Sequence, residues 1–247
     1  MAAADAMRLV DVDLAMEGDP QRNLATFVTT WMEPEAQRLI AENLHRNFID
    51  HAEYPISAEI EQRCVRMLAD LFHAPGKTTG CRTQGSSEAI MLGALSLKWK
   101  WRERREAAGL PTDRPNLVFG GDVHVVWEKF CRYFDVEPRI MPLAEGKYTI
   151  GPEDVEPRVD ENTIGLVAVL GTTFTGHKDD VVGIENSCAR FARSGTSISR
   201  STSTAPAAHS CGPSCTRSRN GTSSSSRSVR SMSRDTSTAW CTPESVG

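Results

Sequence analysis

Between Thr83 and Leu95 the chain reads Thr-Gln-Gly-Ser-Ser-Glu-Ala-Ile-Met-Leu-Gly-Ala-Leu. One glycine and two adjacent hydroxyl residues, Gly85, Ser86 and Ser87, open directly into an apolar run of helical character. A helix N terminus leaves backbone N–H groups without intrahelical partners, and its dipole favours negative charge. Two hydroxyls at that point add donors, so the chemistry on offer is the grip of a phosphate or similar anion. The same residues could simply cap a helix. The elements around them decide between the two.

Those elements alternate in type. Ile56, Ile60, Cys64, Leu68 and Leu71 recur at helical spacing, which predicts a helix over 57–72 with that face buried. A turn-rich link at 76–80 leads to the helix that opens at Ser86, runs to about Ala108 and stops at Gly109. Its distal part alternates bases with Trp99 and Trp101, both expected to turn inward. Next come a predicted strand at 116–120, a helix at 123–134, a strand at 138–143, a short helix at 152–159 and a strongly apolar strand at 163–170. Such a rhythm implies βαβ units, hence an α/β fold with a mainly parallel sheet covered on both faces. Ligands of such sheets sit at the carboxyl ends of the strands. Gly171-Thr-Thr-Phe-Thr-Gly176 falls there, so a second polar loop converges on the edge that carries Ser86 and Ser87.

Upstream, residues 1–22 show little periodicity and are expected to form a mobile or loosely docked arm. A helix is predicted over 35–44, followed by a loop through Asn47, Asp50 and Tyr54. Residues 193–247 differ from everything before them: 25 of the 55 are Ser or Thr, and seven Arg stand against two acidic residues. The net charge of −4 therefore hides a body near −9. An acidic body argues against nucleic-acid binding as the main task. The seven Cys lack C-x-x-C spacing, there is no secretory leader, and no apolar run is long enough for a membrane span, so a soluble, cytoplasmic protein is expected. The expected organisation is an arm and helical segment (1–55), an α/β domain (56–192) and a disordered Ser/Thr/Arg-rich tail (193–247).

Several stretches carry a family signature in one order: Asn-Leu-Ala-Thr-Phe at 23–27, Glu-Tyr-Pro at 53–55, Ala-Asp-Leu-Phe-His-Ala-Pro at 69–75, Gly-Ser-Ser-Glu-Ala at 85–89, Lys-Trp-Lys-Trp-Arg at 98–102, Pro-Thr-Asp-Arg-Pro-Asn-Leu-Val at 111–118 and Asp-Glu-Asn-Thr-Ile-Gly at 160–165. Over residues 21–185 the chain resembles the glutamate decarboxylases of the bacterial and plant type. The resemblance implies the N-terminal part of a pyridoxal-phosphate (PLP) fold type I, aspartate aminotransferase-like large domain, preceded by a helical segment. It implies PLP as cofactor, L-glutamate as substrate, 4-aminobutyrate and CO₂ as products, and a homo-oligomer. Carried onto this sequence, Gly85, Ser86 and Ser87 would hold the cofactor phosphate, His124 would lie against the ring, and Thr173 would contact the cofactor. Thr26, Phe27, Asn47 and Asp50 would recognise the distal carboxylate of the substrate. No metal is implied.

The resemblance also calls for a lysine that binds the cofactor covalently and an aspartate beside the ring nitrogen. Neither stands where it is expected, so no catalytic residue is assigned. The genetic code suggests why. Residues 235–245 can be written with permitted codons so that reading begun two bases later gives His-Lys-Tyr-Gly-Leu-Val-Tyr-Pro-Gly-Val, the family's lysine motif. Residues 201–208 shifted in the same direction give His-Val-Asp-Gly-Ala-Ser-Gly, the aspartate motif. The expectation is a reading frame lost between Asp180 and Gly195, which leaves a truncated, inactive chain with at most weak, non-covalent PLP binding. The alternative is a non-catalytic subunit or scaffold that pairs with an intact decarboxylase.

Overall fold

The computed structural model describes residues 1–18, 32–47, 49–72, 74, 79–172, 175–193 and three short strands, at 202–205, 230–233 and 238–241. The chain divides into two compact units, Met1–Asn47 and Phe48–Gly247. The first boundary thus falls a few residues before the expected one at 55.

The first unit contains α1 (Ala3–Leu14) and α2 (Pro34–Asn43). The arm expected at 1–22 is therefore helical over most of its length. Ala, Met, Leu and Arg favour the helix intrinsically, and that preference does not need a clean apolar period. Neither helix has a buried residue.

The second unit opens with α3 (Pro55–Leu71) and β1 (Thr79–Arg82), a strand where only a turn-rich link was expected. It continues through α4 (Ser86–Ala107), β2 (Asn116–Gly120), α5 (Val126–Tyr133), β3 (Glu137–Met141), α6 (Pro152–Val155), β4 (Thr163–Val169) and α7 (Val181–Arg193). Gly109, at φ +67°, ends α4: its N–H reaches the Glu106 carbonyl, and the Leu110 N–H reaches the Arg105 carbonyl. In α3 the structure corrects the expected face. Ile56, Ile60 and Leu71 are at least half exposed, whereas Val65 and Ala69 are buried with Leu68 packed beside them. The helix contacts β1, and Ile56, Ile60 and Leu71 of its apolar stripe look outward.

The segment expected to be a disordered tail carries β5 (Thr202–Ala205), β6 (Arg230–Ser233) and β7 (Thr238–Cys241); its other residues beyond 193 lie outside the described ones. The sheet order is β1-β7-β6-β5-β4-β2-β3. Only β7 runs against the others, because β1 and β6 both pair with it antiparallel while the remaining neighbours are parallel.

Both faces of the sheet are covered at β2 and β4. Leu117 and Phe119 of β2 pack with Ile90, Trp101, Trp127 and Phe130 from α4 and α5. Val118, between them in sequence, points the other way and joins Leu166, Ala168, Val155 and Ile184 under α6 and α7. This period of two is what a strand buried on both sides requires. Ile164 falls out of step with Leu166 and Ala168 because the β2–β4 register shifts at Asn116/Leu117, where β4 has one extra residue.

The amino edge of the sheet is fastened by Asp160. Its carboxylate accepts from Asn116 Nδ2 at 2.8 Å and the Asn162 N–H at 2.9 Å, and pairs with Arg139 at 2.7 Å. Burial lifts the Asp160 carboxyl, but the bonds from Asn116, Arg139 and Asn162 outweigh it and hold it below its ordinary range. A carboxyl depressed in the folded state stabilises the fold above the unfolded pKa, and that contribution disappears as pH falls through the folded value. Asp160→Asn should therefore cost about 1–3 kcal/mol at pH 7, with the deficit shrinking as pH drops below about 4. Urea unfolding at both pH values checks this; an equal deficit at both would contradict it.

Candidate functional site

Parallel strands end together, so the turns after β1, β2 and β4 lie on one edge. After β1, Thr83 is buried and its hydroxyl donates to the Gly85 carbonyl at 3.1 Å. Glu88 turns back to accept the Gln84 N–H at 2.7 Å, which fixes the entry to α4. The first helical bond runs from the Ala89 N–H to the Gly85 carbonyl at 3.1 Å. Gly85 provides no side-chain cap, and among the described residues a Cβ built on it would meet no atom within 4 Å beyond its own chain neighbours. Among the described residues the space beside Gly85 is thus open, with Ser86 half-buried and Ser87 exposed next to it. This geometry fits a tetrahedral anion: first-turn N–H groups, two hydroxyls and room in front.

After β2 the chain turns through Gly120, Gly121 and Asp122 to His124, just ahead of α5. His124 is exposed, and its Nδ1 accepts the Val126 N–H at 3.3 Å, which puts the ring proton on Nε2 in the neutral form. The loop after β4 bends at Gly171 and Gly176, both at positive φ. Its base is closed by Asp179, whose N–H donates to the Val169 carbonyl at 3.0 Å. The Asp179 carboxylate accepts the Val169 N–H at 2.7 Å and the Ile150 N–H at 2.9 Å. It therefore joins the end of β4, the entry to α6 and the start of α7. Burial pushes this carboxyl up to about 6 despite the two amides, with the charges of Asp122 and Asp154 adding to the lift. At the loop's tip the hydroxyls of Thr172 and Thr175 share a 2.6 Å hydrogen bond.

The expected site residues thus divide. Gly85, Ser86, Ser87 and His124 stand on the carboxyl edge. Thr173, Thr26 and Phe27 lie outside the described residues. Asn47 closes the first unit and Asp50 stands in the second, both exposed. Asp50 Oδ1 accepts the N–H groups of Ala52 and Glu53 at 3.1 Å each, an Asx turn that leads to α3. Sequence reasoning passed over Asp122 and Asp179. The available signal was an aspartate directly after each glycine-bearing loop, but nothing in the residue pattern reports that both would be buried. Among the described residues no group of three or more His, Cys, Asp or Glu could hold a metal ion, and no helix is long and apolar enough to cross a membrane.

A mainly parallel sheet covered on both faces, with an open helix N terminus and hydroxyl-bearing loops on its carboxyl edge, defines an α/β ligand-binding domain. The sequence pattern of the Pyridoxal-dependent decarboxylase conserved domain matches residues 6–198. The chain belongs to the pyridoxal-dependent decarboxylase family, and its fold is the N-terminal part of a PLP fold type I domain. It is 49% identical over 180 residues to Glutamate decarboxylase 5 of Arabidopsis thaliana, covering 71% of this chain and 36% of the relative. With Glutamate decarboxylase of Aliivibrio fischeri it shares 48% over 181 residues, 72% of this chain and 39% of the relative. A solved glutamate decarboxylase from Lactobacillus brevis superposes with a TM-score of 0.76 at 40% identity, over 83% of this chain and 47% of that one. The chain therefore spans less than half the length of the relatives it matches.

Proposed function

We propose that the chain is the phosphate-gripping part of a glutamate decarboxylase, the PLP-dependent conversion of L-glutamate to 4-aminobutyrate and CO₂, and that by itself it does not catalyse that reaction. The observation that carries the reading is the open N terminus of α4, with Ser86 and Ser87 at its first turn. The glutamate decarboxylases among the relatives support the substrate. When bound, PLP supplies an electron sink for the charge left as CO₂ departs. The residues that would hold it are the α4 amides and the hydroxyls of Ser86 and Ser87 at its phosphate, with His124 against its ring and Thr173 as a further contact. Thr26, Phe27, Asn47 and Asp50 serve the distal carboxylate of glutamate.

Inactivity follows from the frame reading. The family match stops at residue 198, and β5 takes a place inside a parallel sheet with the sequence Thr-Ser-Thr-Ala, where apolar residues are the rule. Sequencing the coding DNA for residues 180–195 tests that reading, and a frame there that agrees with its relatives would end it. The grip is tested separately. PLP should bind the purified chain reversibly and compete with inorganic phosphate, and Ser86→Ala with Ser87→Ala should weaken it by about 1.5–3 kcal/mol, read by equilibrium dialysis. An unchanged affinity would remove the assignment of the two serines. Borohydride trapping of PLP on one lysine, together with CO₂ release from glutamate, would overturn the inactivity.

A second reading, a non-catalytic subunit that pairs with an intact decarboxylase chain in the cytoplasm, is favoured by α1 and α2, which bury no residue in this chain. Co-expression with an intact chain and sizing of the product separates the two readings.

A further inference from the structure

The outward face of α3 takes no part in the site. Ile56, Ile60, Met67 and Leu71 are each at least half exposed. With 3.6 residues per turn they fall within about 60° of one another around the helix, as an apolar stripe about 22 Å long. Val65 and Ala69, on the opposite side, are the buried positions, with Leu68 and Ala74 packed against them. Soluble monomers rarely leave so continuous an apolar run in water.

With that face known to be outward, its order becomes informative. The gaps between the four residues are four, seven and four positions, which read the same in both directions about a midpoint between Arg63 and Cys64. Two antiparallel copies of α3, related by a twofold axis at that midpoint, set Ile56 against Leu71 of the second copy and Ile60 against its Met67, and each contact occurs twice. Charge agrees with this pairing. Glu59, Arg63, Arg66 and Asp70 lie along one side of the stripe, all exposed, two of each sign, with Arg63 and Glu59 already paired. The same twofold lays that side of one copy along the same side of the other, so Glu59 approaches Arg66 of the second copy. A helix that lies on a lipid surface carries a basic polar face instead.

We propose that α3 is a self-association surface, through which two copies of this chain form an antiparallel, twofold helix pair. The large apolar side chains from both copies and the charged flanks beside them place the contact at the small end of specific interfaces, about 1,200 Å² in total. A reversible dimer with a dissociation constant in the micromolar range is therefore expected. It holds whether or not the α4 turn grips PLP, and it needs no intact decarboxylase chain. Cys64, exposed and next to the midpoint, is brought close to its own copy across the axis.

The full chain, without PLP, is followed by sedimentation velocity across the micromolar range, with circular dichroism to verify the fold of each variant. Ile60→Glu and Met67→Lys should each raise the dissociation constant about tenfold or more, since each sets a charge against an apolar partner. Combined in one chain they should recover most of the loss, because position 60 of one copy faces position 67 of the other. Within one helix the two lie about 10 Å apart along the axis, too far to pair. A short bismaleimide should cross-link the dimer, and Cys64→Ser should remove that product, which decides the matter where a charged variant does not fold. A monomer at every concentration, species larger than a dimer, a dimer that either folded single variant leaves unchanged, a folded double variant no better than the singles, or cross-linking that survives Cys64→Ser would overturn the proposal.

Discussion

On the frame reading proposed above, inserting one base between the codons for Asp180 and Gly195 is expected to give CO₂ release from glutamate where the unedited chain gives none. The insertion makes reading begin two bases later over everything downstream, which is the shift that converts residues 201–208 and 235–245 into the aspartate and lysine motifs. The sheet gives those motifs a place. Residues 202–205 form β5, which runs parallel to β4 and so ends on the edge that carries Ser86 and His124. The lysine codon falls between β6, which runs parallel to β5, and β7. An enzyme acceleration is about a millionfold or more, so the contrast between edited and unedited chains, both assayed with PLP by labelled CO₂ release, is not a matter of small differences. Release from the unedited chain, or none from a folded edited one, would contradict the frame reading.

Trp101→Ala will destabilise the α/β unit by about 3–5 kcal/mol, whereas Trp99→Ala will change stability by no more than about 0.5 kcal/mol. The two tryptophans stand two positions apart on α4. Trp101 is 1% exposed, sits in the core with Leu117 and Phe130, and donates its Nε1–H to the Glu161 carbonyl at 3.1 Å. Trp99 is 56% exposed and lies under the Arg102 guanidinium at 5.2 Å. Losing Trp101 opens a cavity in close-packed surroundings and strands a carbonyl at the amino edge of the sheet. Urea unfolding followed by far-ultraviolet circular dichroism compares them, and equal effects would mean that the helix is rotated from the orientation described.

The two tryptophans also mark how far the sequence could be read. Both were expected to point inward, and only one does, because residues two apart on a helix are about 200° apart and share no face. The strands at 116–120 and 163–169 were legible almost to the residue, since each is a short apolar run bounded by polar turns. The outward stripe of α3 was not. Ile56, Ile60 and Leu71 have the spacing of a core face, and periodicity reports that a face is apolar without reporting what covers it. The α4 N terminus was legible because a glycine and two serines before a helix have few other readings.

The pairing of β1 with β7 has a consequence for the order in which the molecule can be assembled. Thr79 finds its partner at Cys241, about 160 residues later. As the chain leaves the ribosome, the helices and strands from α4 to α7 can condense while β1 still waits for β7, which is made about 160 residues later. Closing so long a loop is slow and exposes the waiting strand to other chains. The strand that feeds the serine turn is therefore seated by the one part of the sequence whose frame is in question. A change near Asp180 reaches the anion grip at Ser86 through assembly, without altering a single residue of that turn.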